Sequence, residues 1–340
     1  MVNDHFRRLN DYARQVQADI GATAAAVYII QRGRVVNEWY AGTHDESPNS
    51  RRVDAKSQFN VASVRKTYLA LAISLLIEHG AIRDIDDEIG AYLPEYASAA
   101  KGVTLRHLLT HSHGLNEAEG RLIREFPAGE GWAYRNIGIT MLIRLVHALS
   151  GLHLSAFMQK HVFDRYGLRE TGWRTAPEAD LIYNYYRDPD TWVGPNDRDT
   201  GEQSNLFVSA RDLAKWGYLH LKAGWFNGEQ QIPGAVFERV VMPITPSSVP
   251  PGEPRHGFIW WLPSNSPLGQ IGKLLPASSY QMLGITGCAC LVVPDYDAIV
   301  VRMYNQLSNP HGYDYLRDIR EFGNLADEGL KALAANGMSC

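Results

Sequence analysis

Apolar residues recur at three- and four-residue steps at Phe6, Leu9, Ala13, Val16 and Ile20, which predicts an amphipathic helix at the start of the chain. Two strand-like runs follow, Ala24 to Ile30 and Val35 to Tyr40. They are joined by Gln31-Arg32-Gly33-Arg34, a hairpin signal. The stretch from Asp45 to Lys56 is polar and contains proline, so it reads as a loop. It leads to Phe59-Asn60-Val61-Ala62-Ser63-Val64-Arg65-Lys66, behind which an apolar run extends through Leu75, Leu76 and Ile77. That run is apolar nearly all round and Gly80 supplies a stop, so it predicts one buried helix beginning near Ser63.

Later segments are read in the same way. Thr104 can cap a short helix ending near His111. A Pro/Gly-rich turn from Phe126 to Asn136 feeds an apolar helix from Ile137 to Leu149, closed by Gly151. Thr175 to Gln203, with Tyr183, Tyr185, Tyr186 and Trp192, is polar and irregular, and reads equally as a pocket lip or as surface packing. Val208 to Leu221 predicts a helix with Ser209 as its cap and His220 packed inside. Ile259 to Leu262, Gly287 to Val293 and Ala298 to Met303 predict strands, and Tyr313 to Leu333 a closing helix. Strands thus lie at both ends of the chain. Its 340 residues exceed one ordinary core, and two lobes are expected: 1–56 with 223–340 as a sheet lobe, and 57–222 as a mostly helical one.

Composition narrows the class. Hydrophobic residues make up 45% and charged residues 21%, ordinary for a globular protein, and the formal charge of -4 is spread without a basic block, which argues against a nucleic-acid partner. No apolar run reaches about 18 residues, so no membrane span is expected. The opening Met1 to Arg8 lacks the layout of a secretion signal. The chain as given therefore reads as cytoplasmic, or as periplasmic or secreted if a leader was removed. Of its three cysteines, Cys288 and Cys290 are two apart in an apparent strand and read as core thiols; no disulfide framework is expected with Cys340.

Candidate chemistry begins with Ser63 and Lys66. Three residues apart on a helix, they share a face. Burial pushes a lysine towards its neutral, basic form, which can activate a serine hydroxyl. A second S-x-x-K, Ser98 to Lys101, has no apolar helix behind it and reads as a solvated loop. His107, His111 and His113 lie within seven residues, but no carboxylate stands between His107 and His111 as in H-E-x-x-H, so packing and turn bonding are expected rather than a metal. Tyr134 and Asn136 fall on one side of an extended segment at the rim of the next helix.

Together these residues resemble the serine β-lactamase and penicillin-binding superfamily, most of all its class C branch, which includes carboxylesterases, D-amino-acid peptidases and 6-aminohexanoate-oligomer hydrolases. Ser63-Val64-Arg65-Lys66 matches the nucleophile motif and Tyr134-Arg135-Asn136 the Y-x-N motif. Leu105 to His111 and Ser209 to Ala214 are similar to structural signatures of the branch, in the same order. The resemblance runs from about Ala24 to Met303. It implies an α/β (α+β), β-lactamase/transpeptidase-like fold: an antiparallel sheet flanked by helices, with an inserted helical lobe and the active site between the two.

The third motif of the family corresponds to Gln281 to Gly287. Gly284 keeps the glycine, whose missing side chain would let substrate approach, and the Ile285 N–H would be an oxyanion donor beside that of Ser63. Met282 stands where Lys or His is usual, which argues against efficient β-lactam turnover. His113 stands where serine is more common. The resemblance implies a serine hydrolase acting through an acyl-enzyme on a small ester or amide, with Ser63, Lys66 and Tyr134 catalytic, Asn136 orienting substrate, and no metal or cofactor. The rival readings are a β-lactamase or D,D- or D-amino-acid peptidase, and a non-catalytic binding protein. An α/β-hydrolase would need G-x-S-x-G, which the chain lacks.

Overall fold

Arg32 and Gly33 both take left-handed backbone, with φ of 51° and 73°, and this turns Ala24–Gln31 back on Arg34–Gly42 as an antiparallel hairpin. The computed structural model, which describes residues 2–187 and 190–337, makes this hairpin one side of a seven-stranded antiparallel sheet. Across the sheet the order is Arg255–His256, Trp261–Leu262, Tyr280–Leu283, Ala289–Val293, Ala298–Tyr304, Ala24–Gln31 and Arg34–Gly42. Ala25 pairs with Tyr304 and Gln31 with Ala298, so distant parts of the chain meet within it.

The strands read as nearly continuous apolar runs because both faces of the sheet are covered. Ala25, Val27 and Ile29 turn to one face, where they pack under the Arg7–Ile20 and Tyr315–Gly337 helices with Leu9, Val16, Ile319 and Phe322. Ala24, Ala26 and Tyr28 turn to the other, joining Val301, Met303, Leu213 and Trp216 of the Ala210–Leu221 helix in the larger core. The Lys66–Glu78 helix runs through that core, with every residue from Lys66 to Leu76 buried. Gly80 takes left-handed backbone just past its end, as its stop signal predicts.

Several boundaries differ from expectation. The stretch 57–222 contains a four-stranded sheet in the order Thr171–Trp173, Leu206–Ser209, Gln58–Asn60 and Leu181–Ile182. These strands are two to four residues long, too short to display a period. Val208 belongs to one of them. The helix starts only at Ala210, with the Ser209 hydroxyl accepting the Asp212 N–H. Ile259 has φ of 66°, so the strand there is only Trp261–Leu262. Tyr183 and Trp192 line a cleft of about 570 Å³ with His44, Asp45 and Arg51, apart from Ser63. Ser98 to Lys101 is a turn with Ser98 and Lys101 exposed, and Cys288 and Cys290 are buried free thiols. Cys340 lies outside the described residues. Among those residues no single helix is long and apolar enough to cross a membrane.

The Arg302 guanidinium is 1% exposed and donates two bonds, of 2.7 and 2.9 Å, to the Asp318 carboxylate, tying the Ala298–Tyr304 strand to the last helix. Removing one member of such a pair strands the other charge away from water. Asp318→Ala is expected to cost about 3–5 kcal/mol of stability. Urea denaturation at neutral pH checks this, and a loss below about 1 kcal/mol would contradict it.

Candidate active site

The site begins where Gln58–Asn60 ends. The Asn60 side chain accepts the Ala62 N–H at 2.9 Å and donates to the Ser204 carbonyl at 2.6 Å. Between these anchors Ala62 adopts φ of 45°, a left-handed conformation uncommon for a residue with a Cβ. This elbow carries Ser63 on a single 3₁₀ turn, Ala62–Arg65, and the α-helix starts only at Lys66. The expected shared α-helical turn is thus corrected. In a 3₁₀ turn residues three apart eclipse, so Ser63 and Lys66 still fall on one side. Behind them the Trp216 indole N–H donates to the Thr67 hydroxyl, and Tyr68 stacks on Trp216 with ring centroids 4.0 Å apart.

Tyr134 comes from an extended segment pinned to the His111 turn. The Ala133 N–H donates to the His111 carbonyl and the Gly129 N–H to that of Ser112. Arg135 donates two bonds of 2.9 Å to Glu125. The His111 and Tyr134 rings then lie 4.5 Å apart. The outcome is that Lys66 Nζ stands 3.1 Å from Ser63 Oγ and 2.6 Å from Tyr134 Oη.

Burial sets the electrostatics. Lys66 is 2% exposed. Desolvation lowers its pKa to about 7, and the neighbouring Arg65 charge pushes the same way. Tyr134 is pushed up to about 12 by burial, against the opposing pull of the Ser63 hydrogen bond and of Arg65. A neutral lysine supplies no positive charge to a phenolate, so proximity to Lys66 leaves the phenol protonated. His111, buried with no hydrogen-bond partner on either ring nitrogen, is held well below the usual imidazole range, mainly by desolvation.

Gly284, Ile285 and Asn136 line a cavity of about 650 Å³ with Ser63, Lys66 and Tyr134. A Cβ on Gly284 would stand 2.4 Å from the Val61 carbonyl oxygen. The glycine therefore lets the strand's end pack against the serine elbow, a closer constraint than the expected approach of substrate. The Gly284 N–H donates to the Cys288 carbonyl, and Ile285 follows on an exposed turn. Asn136 is the first residue of the Asn136–Ser150 helix, which corrects its placement in the extended segment. Met282 is fully buried in the core.

Sequence reasoning passed over Arg65, Trp132, Trp261, Leu268 and Tyr315, which complete much of the wall. Arg65 and Trp132 carried a signal: a charge inside the nucleophile motif, and an aromatic residue two before Tyr134. The His113 ring abuts Gly138, where a Cβ would come within 2.7 Å of Nε2, so a glycine accommodates the larger residue. His107 Nδ1 accepts the Thr104 N–H in a capping box. Among the described residues no group of three or more His, Cys, Asp or Glu side chains could hold a metal ion.

The chain belongs to the beta-lactamase family, whose model matches residues 9–323. It is 36% identical over 328 residues to the uncharacterized protein BpOF4_21049 of Alkalihalophilus pseudofirmus, covering 95% of this chain and 96% of that one. A class C beta-lactamase structure superposes with a TM-score of 0.77 at 16% identity, covering 97% and 96% of the two chains. EstCE1, a hydrolase with promiscuous acyltransferase activity, superposes at 0.71 with 18% identity, covering 94% and 98%. The fold is accordingly the mixed α/β β-lactamase/transpeptidase fold, in a family of serine hydrolases.

Lys66 should titrate with a midpoint near 7, far below the ordinary lysine value. NMR of lysine labelled at Cε and Nζ reads this directly, and a midpoint above about 9.5 would show that desolvation does not control the amine.

Proposed function

We propose that this chain is a serine hydrolase that cleaves small esters or amides through an acyl-enzyme. The supporting observation is the single lysine nitrogen within hydrogen-bond reach of both Ser63 Oγ and Tyr134 Oη. Ser63 Oγ attacks the substrate carbonyl, and its proton passes to the lone pair of neutral Lys66. As the carbonyl re-forms, the bond to the leaving group breaks. The leaving group takes the Tyr134 proton, which Lys66 restores. Water then cleaves the ester to Ser63 by the reverse transfers. Lys66 is the better base of the two, because the tyrosine is held protonated near neutrality. The Ser63 and Ile285 N–H groups hold the oxyanion, where one such donor is worth about 100- to 1,000-fold in rate. Asn136 orients the substrate. β-Lactam turnover is the weaker reading, since Met282 is a buried apolar side chain where that chemistry would use a cation.

A panel of short p-nitrophenyl esters, D-aminoacyl amides, aminohexanoate dimers and nitrocefin tests this. Ester hydrolysis is expected, lost at least about 1,000-fold in Ser63→Ala, with little nitrocefin turnover. An unchanged rate in Ser63→Ala refutes the assignment, strong nitrocefin turnover favours a β-lactamase, and failure of a fluorophosphonate to label Ser63 favours a binding protein.

The pH dependence has a definite sign. The reactive form carries neutral Lys66, which fills as pH rises through about 7. The value of kcat/KM should fall roughly tenfold per unit on the acid side and level off above. A profile flat from pH 5 to 8, within roughly a factor of two, would remove Lys66 from the role of base.

A further inference from the structure

The charged groups facing the cavity do not balance. Arg302 and Asp318 neutralise one another through two hydrogen bonds. Arg65 lines the same wall and has no such partner. Its Nη1 is shut off from solvent without a hydrogen bond, and among the described residues no carboxylate pairs with it; the group that favours its charge is Tyr134, a phenol. Arg65 as a whole is part-buried, so one edge of the guanidinium is cut off from water while the residue still faces the cavity; a guanidinium placed so without a counter-charge is costly.

The surroundings sharpen this. Trp132, Trp261 and Leu268 line the cavity too, and an apolar wall strengthens any ion pair formed against it. The strand beside Gly284 offers no cation of its own, because Met282 points into the core. A planar guanidinium matches a carboxylate through two parallel hydrogen bonds. We propose that Arg65 recognises a carboxylate on the substrate, so that the preferred substrates are esters or amides carrying an acid group near the scissile carbonyl. The hydrolytic part of this claim rests on the reading of Ser63 given above; the recognition part does not.

The test compares mono-4-nitrophenyl glutarate and adipate with the same compounds capped as methyl esters. The wild-type protein should prefer the free acids by roughly 10- to 100-fold in kcat/KM, mostly through KM. In Arg65→Gln the ratio should collapse to below about threefold, and Arg65→Lys should keep part of it. If Arg65 only tunes Lys66, Arg65→Gln shifts the pH profile for acid and capped esters alike and leaves their ratio intact, which overturns the proposal. A second arm needs no turnover. Calorimetry on Ser63→Ala should show tighter binding of the acids than of the capped forms, and the difference should vanish in Ser63→Ala/Arg65→Gln. If the wild-type protein hydrolyses neither form, the hydrolase reading fails while this arm still decides recognition. Equal binding of the two forms to Ser63→Ala, or a preference that survives Arg65→Gln, defeats it even if the ester reading stands.

Discussion

An ammonium group taken out of water loses its hydration, and unless a negative charge replaces that hydration the proton becomes easier to lose than the position. Lys66 is in that state. It begins a helix buried on all sides, its polar contacts are two hydroxyls, and the charge that acts on it is another cation, Arg65. The rest of the molecule can be understood as what is needed to hold an amine there. The helix packs against the Asn136–Ser150 and Gly234–Val241 helices, while Trp216 stacks on its Tyr68 and donates to its Thr67.

Holding the amine is not enough; a nucleophile has to be aimed at it. The left-handed residue Ala62 turns the chain sharply between strand and helix, and the Asn60 amide braces that turn on both sides. The end of the Tyr280–Leu283 strand then presses on the elbow at Gly284, where even one added carbon would collide with the Val61 carbonyl. The Thr286 hydroxyl donates to the Asn60 carbonyl close by, so two sheets that share no strand are held together here, and the cavity opens beside the contact. Backbone strain at Ala62 persists because surrounding contacts over-determine it, a common arrangement at working sites.

Much of this was legible beforehand where the signal was local. The Arg32-Gly33 turn, the Thr104 and Ser209 caps and the glycine stops at Gly80 and Gly151 each depend on residues within a few positions of one another, and each is found. The resemblance drew Ser63, Lys66, Tyr134 and Gly284 together across long gaps, and they line one cavity. What escaped was short or non-local. The strands Leu181–Ile182 and Leu206–Ser209 are below the length at which a period can be seen, and Asn136 differs from an extended residue only by hydrogen bonds formed further along its helix.

The sequence by itself determined which segments could be buried and which residues could carry acyl-transfer chemistry, because patterning, capping and motif order are properties of neighbours along the chain. Only the tertiary structure decided how deeply Lys66 and Tyr134 are buried, the reason for the glycine at 284, and the lack of an acid beside Arg65 among the described residues. Each of these depends on which atoms are absent from a small volume: water around the amine, a methyl group beside the Val61 carbonyl, an acid beside the guanidinium. Such absences are set by packing between remote segments, and no spacing along a chain records them.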